Sequence, residues 1–310
     1  MTESPNGPDV SVIVVNWNTR RLLSECLMSL YDTIRNITFE VIVVDNGSSD
    51  GSVEMVQARF PQVHLIANQK NKGFTGANNQ ALAIFGGRYA LLFNSDAVAL
   101  PGAIETMVHF ADAHPQVGMV GAQLLNTDGS FQASFTHFPT LQQEFLILSA
   151  LGRKLYGHWY PSHGPRDSQV ATQADYVEGA CLLARREAVA LVGGLDEDYF
   201  MYAEEVDWCF RMKQAGWQVW YLPQAKIIHH GGASSCRQST IKEARLYRSR
   251  VRFFRLHYGH RAAICLKALI YAVTLPKMLV HKFLRFITRG RVGRTVVSWQ
   301  ELHMAMSGLD

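Results

Sequence analysis

The sequence predicts an α/β fold: a doubly wound, mostly parallel sheet with helices on both faces, plus a helical C-terminal extension. Three observations carry this. Short apolar runs end on polar loops, segments with helical apolar spacing lie between them, and beyond residue 236 the charge balance reverses. Strands buried on both faces read as continuous apolar runs, and their alternation with helices implies parallel crossovers.

Residues 10–15 are a β-branched run closing on Asn16-Trp17-Asn18-Thr19, a strand and then a loop. Residues 20–33 place Leu22, Leu23, Cys26, Leu27 and Leu30 at helical spacing. Residues 40–44 form a second strand ending on Asp45-Asn46-Gly47-Ser48-Ser49-Asp50, where Ser49 or Asp50 is placed to cap a helix over residues 52–60. A third strand (63–67) and helix (75–85) precede the strand 89–93, which delivers Asn94-Ser95-Asp96, and a helix follows over 101–114. Past Val117 the alternation loosens. Residues 119–125 and 129–135 read as strand pieces, 157–174 as a polar mobile loop, 176–185 as one strand and 187–192 as a short helix stopped by Gly193-Gly194. A helix over 204–215 stops at Gly216, and a strand over 217–222 leads into Ile227-Ile228-His229-His230-Gly231-Gly232.

The 310 residues allow one large domain or two small ones. Five scattered cysteines without a CxxC pair argue against a disulfide framework or zinc site and suit a reducing compartment. The polar stretch 1–9 has no apolar core, so no secretory signal is expected. The net charge of +4 conceals an asymmetry: residues 237–294 hold fifteen Lys/Arg against Glu243 alone, which leaves residues 1–236 at −8. An acidic body with a basic tail invites an anionic partner for the tail, a membrane surface or nucleic acid. Arg245, Arg248, Arg250, Arg252 and Arg255, interleaved with Leu246, Val251, Phe253, Phe254 and Leu256, read as a basic helix of the kind that lies on anionic bilayers. The uncharged run 268–276 is shorter than the ~20 residues a membrane span needs.

Open α/β sheets bind ligands outside the carboxyl ends of their strands, where the polar residues gather here. Asp45 can accept the imide N–H of a uracil or thymine ring, or merely end its strand in an Asx-turn. Asn71-Lys72-Gly73-Phe74 follows the third strand, and Gly73 would let backbone approach a ligand or only shape a turn. Asp96 is a candidate ligand for a divalent cation held against a diphosphate, or else a helix cap. His229 is a candidate second ligand, or a structural histidine. Glu204, Glu205 and Asp207 would be either chemically active or a solvated first helical turn. The loop after the first strand has neither a Gly-rich phosphate cradle nor GxGxxG, which disfavours a sugar nucleotidyltransferase and a dinucleotide oxidoreductase. A nucleic-acid-binding protein would leave the acidic body unexplained.

The order of these pieces resembles glycosyltransferase family 2, the inverting nucleotide-sugar transferases of the GT-A fold. The likeness runs from Val10 to about Gly259, through Val-Ile-Val-Val-Asn-Trp-Asn (12–18), Val-Val-Asp-Asn-Gly-Ser-Ser-Asp-Gly (43–51), Asn-Lys-Gly-Phe-Thr-Gly-Ala-Asn-Asn (71–79) and Asn94-Ser95-Asp96. Glu178-Gly179-Ala180-Cys181, Gly193-Gly194-Leu195-Asp196-Glu197, Tyr202-Ala203-Glu204-Glu205-Val206-Asp207 and His229-His230-Gly231-Gly232-Ala233-Ser234 complete it. Within the family it looks most like bacterial rhamnosyltransferase-type enzymes of cell-wall or surface polysaccharide. The resemblance implies a catalytic domain over 1–236, with a nucleotide-sugar part (about 10–118) and an acceptor part (119–236), and a basic helical region over 237–310. It implies that Asp45 reads the pyrimidine, that Asn16, Asn18, Asn71, Gly73, Asn94, Ser95 and Gly179 line the donor site, and that Asp96 and His229 bind Mg²⁺ or Mn²⁺. Glu205 falls at the general base, with Glu204 and Asp207 beside it. Two departures stand out: Asn94 replaces the first acid of Asp-x-Asp, and Glu204-Glu205 stands where Glu-Asp is common, leaving open which is the base. The implied partners are dTDP-L-rhamnose or a UDP-sugar, a glycan or polyprenyl-linked acceptor, and an anionic membrane surface at the inner face of the cell membrane, with no nucleic acid; a homo-oligomer stays open.

Overall fold

The computed structural model describes residues 7–163, 170–231, 239–288 and 297–307. In chain order they form β1 (Val10–Asn16), α1 (Arg20–Thr33), β2 (Phe39–Asp45), α2 (Ser52–Arg59), β3 (His64–Ala67), α3 (Gly73–Leu82), β4 (Tyr89–Asn94), β5 (Ala97–Ala99), α4 (Ala103–Ala113) and β6 (Val117–Leu125). There follow β7 (Phe135–Thr136), α5 (Leu141–Leu148), α6 (Leu151–Tyr156), β8 (Thr172–Gln173), β9 (Tyr176–Val177), β10 (Cys181–Arg185), α7 (Arg186–Val192), α8 (Glu204–Gln214), β11 (Gln218–His229), α9 (Ser239–Tyr258), α10 (His260–Ile287) and α11 (Trp299–Met306). The chain divides into two compact units: Met1–Phe138, Ser162–Phe200 and Glu204–Ser234 make the first, and Pro139–Pro161, Met201–Ala203 and Ser235–Asp310 the second.

The first unit is built on a mixed sheet in the order β3-β2-β1-β4-β10-β6-β11-β5, with β8 also on β11. Its N-terminal half is parallel, β1 pairing with β2 and β4, and β2 with β3. Because successive side chains of a strand face opposite ways, the β-branched run feeds two cores. Val10, Val12 and Val14 pack with Leu23, Leu27 and Leu30 of α1 and Met107 of α4. Ile13 packs on the other side with Ala77 and Ala81 of α3, and that core extends to Trp208 and Met212 of α8.

The second half departs from simple alternation. β10 lies antiparallel between β4 and β6, and β11 is parallel to β6 but antiparallel to β5 and β8. The expected strand over 176–185 is two strands, because β9 leaves the main sheet to pair with β7 before β10 joins it. Gly121 admits that crossing: a Cβ there would stand 2.4 Å from Cβ of Val177. The strand expected at 217–222 continues to His229 through a register shift between Leu222 and Lys226. Asp96 does not cap α4; Gly102, with φ 76°, holds that position.

In the second unit Thr140 caps α5 by accepting from Gln143 N, and α10 runs unbroken through Pro276. The expectation that the apolar side of α9 faces a bilayer is overturned. Val251, Phe253 and Phe254 are fully buried, on a helix that packs against α10 and α11. Ala263, Leu266, Ile270 and Thr274 of α10 are the buried stripe of the next helix. Arg250 of α9 also turns inward, donating from Nη1 to Oε2 of buried Glu144 at 2.8 Å. Burial pushes the Glu144 carboxyl up, and Arg250 opposes that shift.

Candidate active site

Asp96 and His229 lie 133 positions apart in sequence, and the short strand β5 brings them together. It pairs with the end of β11 so that Ala97 faces His229, and His230 N donates to Asp96 O at 3.0 Å. Asp96 Oδ1 stands 3.3 Å from His229 Nε2. On its other side the imidazole Nδ1 is 2.7 Å from Gln132 Oε1. The Gln132 amide nitrogen donates to Asn126 Oδ1 and His229 O, which leaves its oxygen for the ring. Nδ1 therefore carries the proton, and the Nε2 lone pair faces the carboxylate and the Asn94 amide at 3.2 Å. A partner on the far ring nitrogen is what orients metal-ligating histidines.

The donor set fits a divalent cation. Adjacent vertices of an octahedral shell with bonds near 2.1 Å lie about 3.0 Å apart, close to the observed 3.3 Å. Among the described residues no cluster of three or more His, Cys, Asp or Glu side chains forms a complete metal cage. A cation on this pair would take its other ligands from a diphosphate and water, as hard cations commonly do.

The ends of β1, β2 and β4 form a connected polar rim. Asn16 Nδ2 donates to Asp45 Oδ2 at 2.8 Å and to Ser48 Oγ at 3.1 Å, while its Oδ1 accepts from Thr19 Oγ1. Thr19 Oγ1 in turn lies 3.0 Å from Ser95 Oγ. The turn is closed by Ser48 N donating to Asp45 Oδ1 and by Asn18, at φ 54°, accepting from Ser49 N. Asp45 thus makes the Asx-type turn, yet among the described residues two acceptor sites of a carboxylate's roughly four remain. Asn71 Oδ1 accepts from Gly73 N, and Asn46 Nδ2 donates to Gly73 O. The close neighbour of Gly73 is Phe200: a Cβ on Gly73, at φ +80°, would fall 2.8 Å from the Phe200 ring and its carbonyl oxygen.

Asn94 N donates to Ala180 O at 3.0 Å, tying β4 to the turn that carries Glu178 and Gly179. A Cβ on Gly179 would sit 3.5 Å from Glu205 Cβ, so the first turn of α8 abuts this backbone. The chain enters α8 through Tyr202 (φ 75°) and Ala203 (φ 64°), two non-glycine residues in the left-handed region. Three carboxyls gather here. Burial pushes Glu205 up to about 7. Burial and then the neighbouring Glu205 charge push Glu178 up to about 8 and Glu204 well above the ordinary carboxylate range. Glu204 is buried, and its Oε2 has no hydrogen-bond partner among the described residues, whereas Glu205 and Glu178 are half-buried. Asp207 differs. It is buried and ion-paired with Arg211 Nε at 2.8 Å, while the Arg211 Nη atoms donate to Val192 O and Gly194 O.

Glu178, Gln132, Thr19 and Ser48 were not singled out from sequence. Glu178 carried a legible signal, an acid immediately before Gly179-Ala180. Gln132 carried none, because its role follows from a tertiary contact 97 residues away. Of the closing motif, Gly232, Ala233 and Ser234 lie outside the described residues.

The profile "Glycosyltransferase like family 2" matches residues 8–249, and the chain belongs to this family of glycosyltransferases. It is 30% identical over 211 residues to the N-acetylglucosaminyl-diphospho-decaprenol L-rhamnosyltransferase of Mycobacterium tuberculosis, covering 64% of this chain and 68% of that one. It is 25% identical over 232 residues to the low-salt glycan biosynthesis hexosyltransferase Agl10 of Haloferax volcanii, covering 72% and 67%. Among solved structures it is similar to the mannosyltransferase PcManGT of Pyrobaculum calidifontis in complex with GDP-Man and Mn²⁺. The TM-score is 0.56 at 19% identity, over 93% of this chain and 76% of that one. It is also similar to GalNAc-T7 with UDP, GalNAc and Mn²⁺, with a TM-score of 0.59 at 13% identity over 87% and 51%. These likenesses establish the GT-A fold.

Proposed function

We propose that the protein is an inverting, metal-dependent rhamnosyltransferase that moves L-rhamnose from dTDP-L-rhamnose to a lipid-linked glycan in bacterial surface polysaccharide synthesis. The observation that carries this reading is the Asp96–His229 pair, joined through Asn94 and Ala180 to the turn that abuts Glu205. The preference for rhamnose and a polyprenyl-linked acceptor is supported by the mycobacterial relative.

In this proposal Asp45 accepts the pyrimidine imide proton, and the rim from Asn16 to Ser95, with Asn18, Asn71 and Gly73, positions the nucleotide. Asp96 and His229 hold Mg²⁺ or Mn²⁺, with Gln132 fixing the imidazole tautomer. When bound, that ion supplies Lewis-acid neutralisation of the charge that gathers on the departing diphosphate. Glu205 takes the proton of the acceptor hydroxyl as its oxygen bonds to the anomeric carbon and the bond to the diphosphate breaks. Attack on the face opposite the leaving group inverts that centre. Glu205 is favoured over Glu204 as base because it retains solvent access, while Glu204 is buried. Asp207, held by Arg211, anchors α8. The basic C-terminal region is proposed to hold the enzyme at the anionic inner face of the membrane.

The test is release of nucleoside diphosphate from dTDP-L-rhamnose and from UDP-sugars, with and without Mn²⁺, in the presence of a polyprenyl-diphosphate N-acetylglucosamine acceptor. Mn²⁺-dependent turnover of dTDP-L-rhamnose is expected. Turnover of a UDP-sugar alone would reassign the donor, and no turnover of any nucleotide sugar would overturn the proposal.

A further inference from the structure

With Val251, Phe253 and Phe254 of α9 buried, the exposed apolar surface of the second unit lies mostly on other side chains. Exposed apolar side chains occur on several of its helices, Met304 of α11 and Ile264 of α10 among them, and two groups of them lie beside cations. On the last turns of α10, Leu279, Phe283 and Phe286 are 68%, 63% and 84% exposed. On α6, Leu155 and Tyr156 are 66% and 65% exposed. The two groups are linked through α5: Lys277 Nζ donates to the carbonyl of Leu148, the last residue of α5, three residues before α6 begins.

Charge selects the occupant. Lys277, Lys282 and Arg285 of α10 follow one another with no carboxylate between them, and α6 adds Arg153 and Lys154. Glu144, the lone carboxylate of residues 139–161, is buried against Arg250 and offers no counter-charge. Bulky apolar side chains interleaved with cations fit the headgroup boundary of an anionic bilayer. Length argues against a span. Although α10 is long and apolar enough to cross a membrane by composition, its first half is packed through Ala263, Leu266, Ile270 and Thr274. Only residues 276–287 are clear of that stripe, about 18 Å of helix against the ~30 Å of a hydrocarbon core.

We infer that α6 and the C-terminal half of α10 together form one docking face for anionic lipid, α10 inserting Phe283 and Phe286 and α6 contributing Leu155 and Tyr156. The inference rests on the membrane-surface reading above and deepens it by naming the face.

The full-length protein is sedimented with vesicles of phosphatidylcholine alone and of phosphatidylcholine mixed with phosphatidylglycerol. Binding to the mixed vesicles is expected, and Lys282→Gln or Arg285→Gln should each weaken it about fivefold. Phe286→Glu on α10 and Leu155→Glu on α6 should each weaken it by about tenfold or more. Donor turnover with a soluble acceptor should be unchanged in all four variants, so loss of that turnover counts against the enzymatic proposal and not against the face. Unaltered binding of Leu155→Glu would overturn the composite face, and resistance to alkaline carbonate extraction would replace it with a span. Absence of vesicle binding, with a dimer in light scattering that Phe286→Glu dissociates, would make the face a contact between copies.

Discussion

Glu178 offers the sharpest test of the carboxyl cluster, because its effect on stability runs opposite to its bland appearance as a turn residue. Burial, then the neighbouring Glu205, holds its carboxyl at about 8 in the folded chain against an ordinary value of 4.5. The folded protein therefore binds a proton that the unfolded chain has released, and stability falls as pH rises through that window. The contribution is present in full below about pH 4.5 and is lost by about pH 8. At about 1.4 kcal/mol per unit the interval sets a ceiling of roughly 5 kcal/mol. Glu178 is only half-buried, so solvent screening reduces this to about 1–3 kcal/mol. Glu178→Gln removes the charge and keeps the shape. Urea unfolding of both proteins at about pH 5 and about pH 9 should give a small difference at the lower pH and, at the higher, a variant more stable by ~1–3 kcal/mol. A variant no more stable than the parent at high pH would refute the claim that this carboxyl is forced to share the site.

The remaining expectations concern the proposed roles. Glu205→Gln should retain dTDP binding by calorimetry while losing ~10²–10⁴ in turnover; if Glu204→Gln alone does this, the two exchange roles. The acid limb of kcat/KM should centre at about 7, falling as Glu205 takes up its proton, and a limb near 4.5 would remove Glu205 as base. Gln132→Leu should weaken Mn²⁺ binding by about 10–100-fold through the loss of the imidazole's partner, and unchanged affinity would dismiss that role. Arg211→Ala removes the Arg211–Asp207 ion pair and the two carbonyl contacts of the guanidinium, and should destabilise the first unit by ~1–3 kcal/mol, measured by denaturant unfolding.

Much of the first half of the fold is legible because its signals are local. The runs 10–15, 40–44 and 89–93 are buried on both faces, and each ends on the residues that form the polar rim. Legibility fades where pairing is non-local. Nothing in Ala97-Val98-Ala99 announces a strand; it exists because β11 offers it an edge, and with it comes the juxtaposition of Asp96 and His229. The break at Glu178-Gly179 depends on β7, a partner of two residues. The helix α5 did carry a local signal, Thr140 three residues before Gln143, which makes half of a capping box. In the basic tail, apolar spacing identified a helix but not its surroundings: Phe253 and Phe254 look the same in sequence whether they meet lipid or protein. Which of the adjacent acids is solvent-accessible and which is buried is likewise a property of packing.

Calorimetry of dTDP binding with and without Mn²⁺, on the parent protein and on Asp96→Ala, bears most directly on the cation held between Asp96 and His229. Mn²⁺ should tighten dTDP binding at least tenfold in the parent and leave the variant's affinity unchanged. Equal Mn²⁺ enhancement in the two proteins would contradict the account.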